Sequence, residues 1–178
     1  MFAVLVLTLL GPALGYLSDP QNPVEVTYFI MSDTNNKILA TDERSEQNAV
    51  QTWDESSDWT AIIPGAIWIW SDYMVLQPDI DETVTFVNEF YVPGGIVEGF
   101  IELAADHSVW VYLNDKETNC FNDQGSFTNF SQFTCDLSNY LTSGNNVLKL
   151  VVTNAASSAE DEVNPAGLLY KMMIKSIV

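Results

Sequence analysis

Six stretches between residues 24 and 178 are rich in β-branched and aromatic residues: VEVTYFIM, TVTFVNEFYV, VEGFIELAAD, SVWVYLN, NVLKLVVTN and GLLYKMMIKSIV. Several alternate apolar and polar positions with a period of two, which sends successive side chains to opposite faces of a strand. In SVWVYLN, Val109, Val111 and Leu113 fall on one face, and Trp110 and Tyr112 on the other. Turn-forming clusters separate the stretches, at Pro93-Gly94-Gly95, Asn114-Asp115, Ser143-Gly144-Asn145-Asn146 and Asn164-Pro165. Short strands joined by such turns predict an all-β protein, an antiparallel β-sandwich. A helical signal is confined to DLSNYL, Asp136 to Leu141, one capped turn ahead of Gly144. The polar run SDTNNKILATDERSEQNAVQTWDESSDW reads as a long irregular excursion, a place for loop-borne function.

The first fifteen residues, MFAVLVLTLLGPALG, follow a different pattern. Their apolar run breaks at Gly11-Pro12, too early for a membrane-spanning helix. A short hydrophobic region closed by Ala13-Leu14-Gly15 matches a secretory signal peptide, although no basic residue precedes it. Read as a strand, the run lacks alternation, so both faces need burial. Residues 1–20 are therefore expected to be an apolar segment and linker, either a cleaved signal or a donor strand, and residues 21–178 the sandwich domain. A donor strand would insert Val4, Leu5, Val6, Leu7, Leu9 and Leu10 into a neighbouring subunit, with GPALGYLSDPQNP as the linker. Burying it is worth roughly 10 to 20 kcal/mol as an upper bound. Backbone ordering removes about 1 to 2 kcal/mol per residue of that.

Charge narrows the partners. The chain of 178 residues carries 24 acidic and 6 basic residues, a formal net charge of −18. Six scattered cations form no phosphate-binding stripe, so nucleic acid is not expected as a partner. Cys120 and Cys135, an even pair in a chain with an export-like start, are expected to form a disulfide worth about 3 kcal/mol. Between them, Asn129-Phe130-Ser131 is a glycosylation sequon. Both features point to a secreted or cell-surface protein.

IPGAIWIWSDY, then TVTFVNEFYVPG, IELAADHSVWVYLND, CDLSNYLTSGNNVLKLVVTN and NPAGLLYKMMI follow one another in an order that resembles the galactose-binding-domain-like β-sandwiches, a jelly-roll family. The resemblance runs from about Ile62 to Ile174 and implies the fold; the scaffold serves sugar binding, enzyme appendages and structural units alike. It departs at Asp115, where the family has Gly after Asn114, so the hairpin there is expected to differ or lengthen. The resemblance also adds to the case for a structural calcium ion. Asp79, Asp81 and Glu82 in QPDIDETV, and Asp54, Glu55 and Asp58 in WDESSDW, supply hard oxygen ligands in short loops, without EF-hand spacing.

Catalytic chemistry is thin. His107 is the sole histidine, and one imidazole supplies no nucleophilic or zinc geometry by itself. Paired carboxylates arise by chance in so acidic a chain. No enzyme is expected. Trp53, Trp59, Trp68, Trp70 and Tyr73 form an aromatic-rich region; Trp68 and Trp70 are expected to supply at least one core residue, leaving Trp53, Trp59 and Tyr73 to stack on sugar rings. The leading expectation is an extracellular filament subunit, polymerising with copies of itself through its N-terminal strand. The alternative is a secreted carbohydrate-binding module with a cleaved signal peptide.

Overall fold

The computed structural model describes residues 22–42, 44–53, 59–76, 80–122, 132–156 and 164–178. The expected donor strand from Val4 to Leu10, the sequon Asn129, and the acidic residues Asp54, Glu55, Asp58 and Asp79 lie outside the described residues.

Twelve strands are described: β1 Glu25–Met31, β2 Lys37–Ile38, β3 Gln47–Asn48, β4 Val50–Gln51, β5 Ile69–Trp70, β6 Glu82–Val92, β7 Gly95–Asp106, β8 Ser108–Leu113, β9 Lys116–Asn122, β10 Phe133–Asp136, β11 Gly144–Asn154 and β12 Gly167–Ile177. They form two antiparallel sheets, as the alternation predicts. In the first, β10, β7 and β12 lie side by side. The far edge of β12 is shared: β1 pairs with it from Lys171 to Ile177, and β5 at Leu168, with β4 outside β5. The second sheet runs β3-β2-β6-β11-β8-β9.

The core lies between the sheets and takes one side chain in two from each long strand. Phe86 on β6, Ile101 and Leu103 on β7, Val109, Val111 and Leu113 on β8, Leu148 and Leu150 on β11, and Leu168, Tyr170 and Met172 on β12 are all buried. Trp70 is fully buried there, its ring tilted against Phe86 at 5.8 Å. The Tyr170 hydroxyl is satisfied inside the core, donating to Asn36 Oδ1 at 2.5 Å and accepting from Asn88 Nδ2 at 3.3 Å. Burial raises its pKa.

A second, smaller cluster covers the outer face of the first sheet. Residues 59–68 lay Trp59, Ala61, Ile63, Ala66 and Trp68 over Ala104 and Leu169. Trp59 and Trp68 stack at 4.2 Å. Of the two tryptophans considered for the core, Trp70 therefore serves the main core and Trp68 this outer layer.

The hairpin between β8 and β9 does not lengthen. Asn114 and Asp115 take φ values of 54° and 61°, giving a two-residue turn whose twist suits paired strands. Asn and Asp tolerate this left-handed region because their short side chains bond locally. The Asn114 side chain instead anchors the turn to β11: its Oδ1 accepts the Val147 amide at 3.0 Å, and its Nδ2 donates to Asn146 Oδ1 at 2.8 Å. At the β6–β7 turn, Gly94 has φ +70°, and a Cβ there would lie 1.9 Å from the Ile177 carbonyl oxygen. The expected helical turn is a short 3-10 turn, Ser138–Tyr140. Asp136 Oδ1 accepts both the amide and the hydroxyl of Ser138, an alternative to a full α-turn.

The disulfide joins Cys120 to Cys135 with a Cα separation of 5.7 Å. It ties β9, at the edge of the second sheet, to β10, at the edge of the first. No helix among the described residues is long and apolar enough to cross a membrane.

Candidate functional site

A cleft of about 570 Å³ opens where the chain passes from β5 into β6. Arg44, Asp72, Tyr73, Leu76, Ile80 and Asp81 line it, with Glu82 beside them. Leu76 and Ile80 are largely exposed, and so is Tyr73, at 57%. Apolar and aromatic side chains around one concavity, with a few polar groups among them, are the usual composition of a small-ligand site.

Glu82 holds the cleft wall together. Its Oε1 accepts from Arg44 Nη2 at 2.6 Å and Ser71 Oγ at 3.0 Å, and its Oε2 from Trp70 Nε1 at 3.1 Å. Burial pushes its pKa up, but these donors and the Arg44 charge outweigh that and hold it below the usual carboxylate value. Arg44 is drawn from the polar excursion to the start of β6 by this pair. Tyr73 is fixed through its backbone, its carbonyl accepting the Trp53 amide at 2.8 Å and the Thr52 hydroxyl at 3.1 Å.

Of the residues expected to contact sugar, Tyr73 lines the cleft. Trp53 is half-buried and supplies the backbone bond just described. Trp59 sits elsewhere, stacked on Trp68 and donating its Nε1 to Asp106 Oδ2 at 2.8 Å. Of the expected calcium ligands, Glu82 is engaged by protein donors through both oxygens, and Asp81 Oδ1 accepts the Ala156 amide at 2.6 Å. Among the described residues no group of three His, Cys, Asp or Glu side chains is placed to hold a metal ion. Arg44, Asp72, Leu76 and Ile80 were not singled out by sequence. Two aliphatic residues, Leu76 and Ile80, either side of Gln77-Pro78-Asp79 in the sequence were the signal present.

His107 is buried at the junction of β7 and β8. Its Nδ1 lies 3.0 Å from Asp106 Oδ1 and accepts the Ala155 amide at 2.9 Å. Burial lowers its pKa, but the Asp106 carboxylate, with Asn154 and the charge of Asp81, reverses the balance and raises it. Elsewhere, Trp110 and Phe121 stack at 4.7 Å on the outer face of the second sheet.

No protein-family model and no curated protein sequence matches the chain. Solved structures match its fold. A Facaelibacterium prausnitzii FMN-binding β-glucuronidase aligns with 84% of this chain and 23% of its own, at 16% identity and TM-score 0.52. A Ruminococcus gnavus β-glucuronidase in complex with a C6-substituted uronic isofagomine aligns with 86% of this chain and 30% of its own, at 13% identity and TM-score 0.52. A Streptomyces avermitilis α-L-rhamnosidase complexed with L-rhamnose aligns with 82% and 13%, at 19% identity and TM-score 0.50. The chain thus spans less than a third of the length of each, and the likeness is one of fold.

Proposed function

We propose that this chain is an extracellular carbohydrate-binding module, a sandwich of the galactose-binding-domain-like kind that takes a glycan in the cleft between β5 and β6. The observation that carries the reading is the pairing of an exposed Tyr73 ring with the Arg44, Asp72 and Asp81 side chains around one open volume. A ring of this kind stacks on the C–H face of a pyranose, while guanidinium and carboxylate groups bond its hydroxyls. Sandwiches of the same fold occurring inside proteins named β-glucuronidase and α-L-rhamnosidase support it. The Cys120–Cys135 bond is compatible with an oxidising, extracellular setting, where the Asn129 sequon would be usable. The role is binding: the cleft's most anchored carboxylate, Glu82, is engaged by three donors and serves to position Arg44. A glycan array probed with the wild-type chain and with Tyr73→Ala is the test. Selective binding lost in the variant supports the reading; absence of any glycan bound by the wild type overturns it.

A second reading is a filament subunit that joins copies of itself through the apolar segment before residue 16. It is favoured by Phe29 and Ile177, 50% and 42% exposed on the paired strands β1 and β12 of the first sheet. Deleting residues 1–15 would abolish filaments seen by electron microscopy of native material while leaving the sandwich folded.

A further inference from the structure

We propose that the cleft is under proton control through His107, whose Nδ1 is claimed by two partners, one needing a lone pair on that nitrogen and the other a proton. This inference rests on the cleft being the ligand site and names its regulation. The Ala155 amide donates to Nδ1 at 2.9 Å, which needs a lone pair there. Asp106 Oδ1, 3.0 Å from the same nitrogen, needs a proton there, and it has no other hydrogen-bond donor among the described residues. The two side chains are 4% and 5% exposed, so bulk solvent has little access to either. With its proton on Nε2, neutral His107 holds the backbone at Ala155 and leaves Asp106 Oδ1 without a donor among the described residues. Protonated His107 donates to Asp106 and releases the Ala155 amide.

That amide is next to the cleft wall. The following residue, Ala156, donates its own amide to Asp81 Oδ1 at 2.6 Å, and Asp81 lines the cleft. The Ala155 carbonyl accepts from Asn164 Nδ2 at 2.7 Å and shares its peptide plane with the Ala156 amide, so a shift of the released Ala155 amide reaches Asp81 across a single Cα. Among the described residues, the charged groups that act on His107 are Asp106, from the end of β7, and Asp81, ahead of β6. From β11 come only the neutral Asn154 amide and the Thr153 carbonyl, which accepts the His107 amide at 2.9 Å. From residues 59–68 comes the neutral Trp59 indole, bonded to the other oxygen of Asp106. Both nearby charges are negative, so the proton is held above the pH at which a free imidazole releases it. Mild acidification then loosens the Asp81 side of the cleft.

The test is an NMR titration of the full chain from pH 5 to 9, following the His107 imidazole and the amides of Ala155, Ala156, Asp81 and Tyr73. All are expected to share one midpoint. In Asp106→Asn that common midpoint moves about one pH unit toward acid, and in His107→Gln it disappears from all four amides. The wild-type titration needs no substitution, so a variant that fails to fold does not blunt it. Amides of Ala155 and Ala156 following His107 while those of Asp81 and Tyr73 do not would sink the link to the cleft. Absence of any amide sharing the midpoint would sink the exchange itself. Neither result bears on whether a glycan binds, which the array reads at one fixed pH.

Discussion

The indole Nε1 of buried Trp70 donates to Glu82 Oε2 at 3.1 Å, tying the largest side chain of the core to the carboxylate that positions Arg44 at the cleft. The same contacts hold the Glu82 pKa below its ordinary 4.5. A carboxylate whose folded pKa lies below its unfolded one stabilises the fold above the unfolded value and loses that contribution as pH falls through the folded one. Glu82→Gln is expected to cost about 1 to 2 kcal/mol at pH 7, partial exposure keeping it at the lower end for charged hydrogen bonds. The deficit should narrow as pH falls below 4.5 toward the lowered folded value. Urea unfolding at pH 7 and pH 3.5 reads it, and an equal deficit at both would be inconsistent with ionisation as the source.

The disulfide joins the edges of two sheets across a sequence separation of 15 residues. Loop closure of that length is worth about 3 kcal/mol through the unfolded chain. Cys120→Ala with Cys135→Ala is expected to lose about that amount, since Cys120 is buried and a serine there would add an unpaired hydroxyl. Guanidinium unfolding of oxidised wild type against the double variant measures it; equal stability would show that the bond constrains nothing.

The long strands were legible because alternation persists over enough residues to outweigh local noise: each of the six apolar stretches lies over one of β1, β6, β7, β8, β11 and β12. Strands β2 to β5 were not, because two residues carry no period and their pairing is decided by the strands they meet. Tyr73 was legible as an exposed aromatic in a polar setting. Arg44 was not, since it lies 38 positions before Glu82 and only the folded chain brings the two within 2.6 Å. Glu82 itself read as a hard oxygen ligand in a short loop, whereas it opens β6 and is bonded by the Trp70 indole and the Ser71 hydroxyl. The tight Asn114-Asp115 turn shows the reverse error. A missing glycine suggested a different loop, yet Asp115 itself takes the left-handed conformation at φ 61°, and Asn114 anchors the turn to Val147.

Gly167 opens β12 beneath the Trp59–Trp68 stack, and a Cβ there would come within 2.8 Å of both rings. Two stacked indoles packed on Ala104 and Leu169 have little room to retreat. Gly167→Ala is expected to destabilise by about 1 to 3 kcal/mol through overpacking, with a shift in tryptophan emission as the stack opens. Gly95→Ala is the matched control, because its Cβ would meet nothing within 4 Å. Comparable losses in the two variants would remove the indole pair as the cause.

His107 has a raised pKa in the fold, against an ordinary value of 6.5. A base whose folded value exceeds its unfolded one contributes stability that is complete below the unfolded pKa and is lost as pH rises through the folded one. Wild type should therefore be most stabilised relative to His107→Gln below about pH 6, the advantage shrinking as pH rises past 6.5 and levelling once the folded imidazole is neutral. The self-repulsion of a chain with net charge −18 also varies with pH, but it is common to both proteins outside this one group and cancels in the difference. Urea unfolding of the pair at pH 5.5, 7 and 8.5 gives that difference directly. A wild-type advantage that grew with pH would mean that burial dominates and that the neutral ring is the favoured form, reversing the sign assigned to the Asp106 contact.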